Sequence, residues 1–183
     1  MKNKKPTILL HACCAPCATI AINQMIVDYD ITIFFYNPNI TEEVEYEKRL
    51  AAIKELASLY NIKLIAHEYD TKEFDFISTG LEEELEKGKR CYQCYKMRLE
   101  KTEVMTEEKG YDFFLTTLTT SPYKNSDWIN EIGESLGNKY IKTNFKKQNG
   151  YQKSIELSKE YKLYRQNYCG CRYSKGRLGK QNG

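Results

Sequence analysis

Thr7-Ile8-Leu9-Leu10-His11-Ala12-Cys13-Cys14-Ala15-Pro16-Cys17 is the stretch from which the fold can be read. Thr7–Leu10 is a short apolar run of the kind found in a strand buried on both faces. Ala12–Pro16 follows as a turn, and residues 17–27 read as a helix. Ile31–Tyr36 is β-branched and aromatic, a second strand closed by Asn37-Pro38. Thr41 then stands as a helix cap with acids behind it, and Tyr46, Leu50, Ile53, Ala57 and Tyr60 recur at helical spacing. Lys63–His67 reads as a third strand. Residues 71–88 read as short helices, Cys91–Lys109 as a long helix stopped by Gly110, and Tyr111–Thr117 as a fourth strand. Ser126 or Asp127 starts a further helix, Tyr140-Ile141 is a weak fifth strand, and Leu157, Tyr161, Tyr164 and Tyr168 extend a helical spacing toward the end.

Strands that alternate with helices pair in parallel, so the expected architecture is a three-layer α/β domain. It has a mostly parallel sheet of about five strands and a C-terminal helical extension. Residues 1–183 read as one domain, with 174–183 as a disordered tail. In such sheets ligands bind beyond the carboxyl ends of the strands. The first cysteines, His67 and Thr116–Asn125 all fall on that edge.

Seven cysteines lie in three tight groups: Cys13/Cys14/Cys17, Cys91/Cys94 and Cys169/Cys171. Between the groups lie 73 and then 74 residues. An odd number in this arrangement is no disulfide framework. Adjacent Cys13 and Cys14 bridge each other only under strain. In a reducing cytosol such groups are metal ligands or redox thiols. Cys91 and Cys94 share one face of a helix's first turn, where the positive end favours thiolate. Gly170 lets the chain turn both Cys169 and Cys171 toward one centre. Soft thiolates select zinc, copper(I) or iron–sulfur clusters. Seven exceed the four that one tetrahedral zinc or one [4Fe–4S] cluster takes, so a second metal or a redox pair is expected.

The net charge of +3 hides an asymmetry. Residues 1–138 hold 16 Lys/Arg against 23 Asp/Glu, whereas residues 139–183 hold 12 against two. Six tyrosines interleave that basic quarter, which suits a phosphate backbone with stackable bases. A solvated basic tail fits the same charge. Lys2, Lys4 and Lys5 precede a short apolar stretch and Cys13, but Pro6 and His11 interrupt it, so no signal peptide is expected. With no apolar run long enough to span a bilayer, the expected location is the cytoplasm. No signal of an oligomeric state is present.

Five ordered segments carry a resemblance to a known family. They are His11–Cys17, Phe35-Tyr36-Asn37-Pro38-Asn39-Ile40, Arg90-Cys91-Tyr92-Gln93-Cys94-Tyr95, Thr116–Asn125 and Tyr168-Cys169-Gly170-Cys171. Together they resemble the QueH-type epoxyqueuosine reductases, which are cobalamin-independent, over residues 8–172. The resemblance implies a Rossmann-like fold akin to PP-loop domains. It also implies reduction of the epoxide of epoxyqueuosine to the alkene, at the wobble position of a tRNA. It implies a [4Fe–4S] cluster on Cys13, Cys14, Cys91 and Cys94, with an additional iron ion on Cys17, Cys169 and Cys171. Some relatives carry Asp where this chain has Cys17, a change in ligand softness rather than in reaction class.

Reduction of an epoxide to an alkene consumes two electrons and two protons and releases water. An external electron donor is therefore expected, and a proton donor too. Candidates are His11, Tyr123, Lys124 and Asp127. His11 also reads as a hydrogen-bonding neighbour of the sulfurs, Asp127 as an N-terminal helix acid, and Tyr123-Lys124 as an RNA contact. Tyr36 and Asn37 read as base-pocket or turn residues, and Arg90 and Arg98 as phosphate contacts or as charges that favour thiolate. The RNA-binding candidates are Lys142, Lys146, Lys147, Arg172, Lys175 and Arg177. Three rival readings remain. An ATP-using PP-loop tRNA thiolase lacks its glycine- and serine-rich loop here. A zinc-binding RNA module leaves three sulfurs unexplained, and a ferredoxin does not need the basic quarter.

Overall fold

The computed structural model describes residues 4–175. Its centre is a sheet of four parallel strands: β1 (Thr7–His11), β2 (Asp30–Phe35), β3 (Lys63–Ala66) and β4 (Phe113–Thr116). Their order across the sheet is β3-β2-β1-β4. Leu10 faces Ile33 on one side and Leu115 on the other. The period of two divides the side chains between two cores. Ile8, Leu10, Ile31, Ile33 and Phe35 pack with helices α1 (Ala15–Met25), α2 (Glu43–Tyr60) and α6 (Gly150–Glu160). Leu9, Phe34 and Phe114 pack on the opposite face with α4 (Lys89–Lys109) and α5 (Ser126–Leu136). Because both faces are covered, β1 is apolar at Ile8, Leu9 and Leu10, and each such side chain contributes about 1.5–3 kcal/mol. This is the three-layer α/β fold expected from the sequence.

The sheet has four strands where five were expected. Tyr140 makes a single parallel bridge with Phe114, and Ile141 N–H donates to the Phe114 carbonyl at 2.9 Å. The chain then peels away, because Asn130 captures it. Tyr140 OH and the Thr143 N–H donate to Asn130 Oδ1, and Asn130 Nδ2 donates to the Thr143 carbonyl.

Three local expectations also change. Helix α2 starts at Glu43, with Glu42 as its cap residue; Thr41 instead donates its backbone N–H to the Gly170 carbonyl at 3.1 Å. Helix α6 ends at Glu160, and Lys162 turns the chain at φ 55°. Cys169 and Cys171 therefore sit on a loop rather than a helical extension, just before the short α7 (Arg172–Lys175). Ser174, expected to open a disordered tail, is buried in α7 and donates its hydroxyl to the Cys171 carbonyl at 2.9 Å. Lys175 closes α7 as well, and residues 176–183 lie outside the described residues. Helix α4 starts at Lys89, capped by Gly88, so Cys91 and Cys94 lie in its first turns. The short α3 (Lys72–Ser78) packs beside it.

The strand order places a topological switch between β1 and β4. After β1 the chain continues on one face of the sheet, and β4 is reached by way of α4 on the other face. The loops after β1 and β4 therefore diverge and open a crevice. Cys13 and Cys17 follow β1 there, and Ser121–Lys124 follow β4. Thr120 Oγ1 donates to the Cys17 carbonyl at 3.4 Å across the gap.

Candidate metal centre

The turn after β1 brings the Sγ atoms of Cys13, Cys14 and Cys17 within 4.8 Å of one another, all buried. Cys14 is the extended residue before α1, and Pro16 fills the helix's first turn, where a missing N–H costs nothing. Asn37, at the end of β2, donates Nδ2–H to the Ala12 carbonyl at 2.9 Å and fixes the entry to the turn.

The other four sulfurs gather separately. Cys91, Cys94, Cys169 and Cys171 line a small void together with Arg90, Tyr95, Arg98, Tyr123 and Lys124. Cys169 reaches it because Arg49 holds its loop. Arg49 Nη1 and Nη2 donate to the Cys169 and Tyr168 carbonyls at 3.1 Å each. Its Nε donates to Glu45 at 2.7 Å, and Tyr164 OH donates to the other oxygen of the same carboxylate. Gly170 makes the loop possible, since its φ is 112° and Ile40 and Arg49 crowd the place of a side chain.

A cavity of about 360 Å³ opens beside both groups. Cys13, Cys17 and Cys169 form its floor, and Tyr123, Tyr151, Tyr168 and Arg165 are among its walls. Cys169, Tyr123, Lys124 and Glu86 border both the cavity and the small void. Arg165 lies 5.4 Å from the Tyr151 ring centre and donates to its hydroxyl.

Charge is concentrated here. Hydrogen bonds from Cys14 and Cys17 outweigh burial and hold the Cys13 thiol well below its usual range, with Lys124 and Arg98 assisting. A hydrogen bond from Cys171 does the same for Cys169, again with Lys124 and Arg98. The remaining thiols are pushed up: Cys14 to about 12, mainly by its bond to Cys13, and Cys94 to about 11 by burial. Burial opposes the charge on Lys124, but Cys169 and Cys13 outweigh it and raise its pKa. Cys13 and Cys169 thus both lie in the field of two cations, buried Arg98 and half-buried Lys124.

The proposed proton donors separate in space. Tyr123, 61 % exposed, and half-buried Lys124 line the cavity. His11 does not. Its Nε2–H donates to the Tyr36 carbonyl at 3.1 Å, and its Nδ1 accepts from the Thr116 hydroxyl, 2.8 Å away. Burial and then the Arg98 charge lower its pKa to about 4, so it is a neutral strut. Asp127 is exposed at the start of α5, where Asn125 Oδ1 caps its N–H, and borders neither space. Tyr36 donates its hydroxyl to Glu73 and also faces neither space.

The basic candidates do not form one surface. Lys142 pairs with Glu134, Arg172 with Asp75 and Lys175 with Glu42. Lys146 Nζ donates to the Lys124 carbonyl at 2.9 Å, at the rim of the cavity. Lys147 follows it, and Arg177 lies outside the described residues. Lys87, unnoticed in the sequence, donates Nζ–H to the Pro122 carbonyl at 3.3 Å and flanks the same loop. Glu86 and Arg165–Asn167 were also missed, because no local motif marks them and only the tertiary fold brings them to the cavity, where Tyr151 of the tyrosine-rich basic quarter joins them.

Comparison with known proteins gives a consistent picture. The family model described as epoxyqueuosine reductase QueH matches residues 8–177. The epoxyqueuosine reductase QueH of Streptococcus pyogenes serotype M1 is 41% identical over 180 residues, covering 93% of this chain and 71% of that protein. That of Thermotoga maritima is 39% identical over 175 residues, covering 92% and 90%. Among solved structures, the U34-tRNA thiolase NcsA from Methanococcus maripaludis, with its [4Fe–4S] cluster, shares the fold at 14% identity and a TM-score of 0.59. The match covers 94% of this chain, which spans 62% of the thiolase.

Proposed function

Because the chain belongs to the epoxyqueuosine reductase QueH family, we propose that it reduces epoxyqueuosine in the wobble position of a tRNA to queuosine. The epoxide oxygen leaves as water, the two ring carbons become an alkene, and two electrons and two protons are consumed. An external one-electron donor supplies the electrons. The observation that carries this reading is the convergence of six cysteines on a cavity of about 360 Å³ and the small void that adjoins it, with Cys14 beside Cys13 and Cys17.

The donor sets fit a [4Fe–4S] cluster and a second metal. Cys91, Cys94, Cys169 and Cys171 are four thiolate donors around one void, the number a cubane cluster takes. Cys13, Cys14 and Cys17 are three more for an additional iron ion, beside the cavity. This grouping in space differs from the division implied by the resemblance, which drew one pair from each of the first two segments. Two cations, buried Arg98 and half-buried Lys124, favour an anionic occupant. When bound, these groups supply electrons singly and a Lewis acid next to the cavity.

The chain's own residues do the rest. Tyr123, Tyr151, Tyr168 and Arg165 offer faces on which an extruded base can stack. Lys124 Nζ carries a proton at the boundary between cavity and sulfurs and delivers it to the departing oxygen; Tyr123 is the second donor. Lys87 and Lys146, which donate only to backbone carbonyls of the loop carrying Tyr123, meet the phosphates beside the wobble nucleotide. The setting is the reducing cytoplasm, where seven thiols persist, and no helix among the described residues is long and apolar enough to cross a membrane.

The test is made on protein purified and reconstituted without oxygen, with iron and sulfide counted before the assay on epoxyqueuosine-containing tRNA. Expected are about four sulfides and more than four irons per chain, turnover to queuosine, and loss of turnover in Lys124→Gln with loading unchanged. In Lys87→Gln/Lys146→Gln, KM for tRNA rises while kcat holds. A colourless protein that holds only zinc would sink the reductase reading and leave a zinc-binding RNA module.

A further inference from the structure

Three arginines are buried near the sulfurs, and two of them have their donors occupied. Arg49 spends Nε on Glu45 and both Nη groups on carbonyls. Arg90 donates Nη1 to the carbonyls of Leu81, Glu82 and Glu84 and lies 4.3 Å from the Tyr173 ring centre. Arg98 is different. It is fully buried, its Nε donates to the Cys94 carbonyl at 3.2 Å, its guanidinium lies 6.0 Å from the Tyr95 ring centre, and neither Nη1 nor Nη2 has a hydrogen-bond partner. None of the ion pairs among the described residues involves it.

A buried guanidinium with two idle nitrogens is costly, and folding tolerates it only where an acceptor meets it. The side chain borders the void shared by Cys91, Cys94, Cys169 and Cys171, and Cys94 and Cys169 are the thiols whose deprotonated charge would act on it most. Glu86 also lines the void, but the charges that act most on Arg98 are those of Cys94, Cys169 and Cys13, so the acceptors on offer are chiefly sulfur. A cluster gains negative charge when it is reduced. A fixed cation and hydrogen bonds to its sulfurs therefore stabilise the reduced form, and the dry surroundings strengthen the effect.

Resting on the function proposed above, we propose that Arg98 donates both Nη groups to the sulfur atoms of the cluster held by Cys91, Cys94, Cys169 and Cys171, and so raises its reduction potential. Arg98 prepares the centre to accept an electron; it is not asked to touch the tRNA.

The experiment compares the wild type, Arg98→Met and Arg98→Lys after anaerobic reconstitution. Iron and sulfide are counted per chain, and the midpoint potential is followed by electron paramagnetic resonance of the reduced cluster. The methionine keeps the bulk without charge or donors; the lysine keeps the charge without the fork. Expected is full loading with the one-electron reduction equilibrium of Arg98→Met at least tenfold less favourable, a fall of about 59 mV. Arg98→Lys should fall in the same direction by less. Should Arg98→Met fail to fold or load, Arg98→Lys decides alone: a lower potential supports the inference and an unchanged one overturns it. Loaded variants with the wild-type potential overturn this inference and leave the proposed function standing. A wild type that takes up neither iron nor sulfide overturns both.

Discussion

The two sulfur groups are built in opposite ways. Cys13, Cys14 and Cys17 come from one turn of five residues, positioned by β1, by Pro16 and by a single Asn37 contact. Cys91, Cys94, Cys169 and Cys171 come from a helix and a loop separated by 74 residues, and a buried Arg49–Glu45 pair on α2 holds the loop in place. A local turn inherits its geometry from the backbone. A remote assembly needs a fastener, and its integrity follows that fastener rather than the cysteines alone.

The sharpest way to break the contrast is Arg49→Met. It strands the buried Glu45 and frees the carbonyls of Tyr168 and Cys169, so about 3–5 kcal/mol of stability should be lost. Urea unfolding measures the loss. In the folded fraction, anaerobic reconstitution should yield less sulfide per chain, while single-metal uptake by the triad persists. Equal loss at both groups would show that they are one unit. A smaller effect is expected of Gly170→Ala. A side chain there meets Ile40 at 3.0 Å and sits at φ 112°, so a cost of about 1–3 kcal/mol is expected, again with sulfide uptake reduced. Asn37→Ala addresses the triad instead. It removes one buried hydrogen bond to Ala12, about 1 kcal/mol, and should leave uptake of sulfide by the four-cysteine group unchanged. Thermal or urea melts with paired iron and sulfide counts separate these outcomes.

The same contrast explains what could be read from the sequence. The four strands were legible because a sheet buried on both faces writes continuous apolar runs such as Ile8-Leu9-Leu10. The cysteine groups were legible because few roles other than ligation ask for three sulfurs in five residues. Tyr140-Ile141 misled because its composition suits a strand, while Asn130, ten residues earlier, removes the backbone from the ladder. Tyr161, Tyr164 and Tyr168 misled because their spacing is helical, yet each is tied elsewhere: Tyr161 to Tyr60, Tyr164 to Glu45, and Tyr168 beneath Arg49. Arg49 itself reads as an ordinary helix residue beside Glu45, since its partners lie 119 and 120 residues away. Glu86 and Arg165 in the cavity wall escaped notice for the same reason. Their chemistry is ordinary residue by residue and becomes a site only when the loops after β1 and β4 diverge.

The long gap between Cys94 and Cys169 also has a consequence in time. A ribosome adding about 5–20 residues per second takes roughly 4–15 s to cross those 74 residues. Throughout that interval the nascent chain presents five sulfurs, with no loop yet for Arg49 to grip. A metal delivered early meets a half-built cage, so faithful loading has to wait for synthesis to run past Cys171, and the order of assembly is set by the reading frame itself.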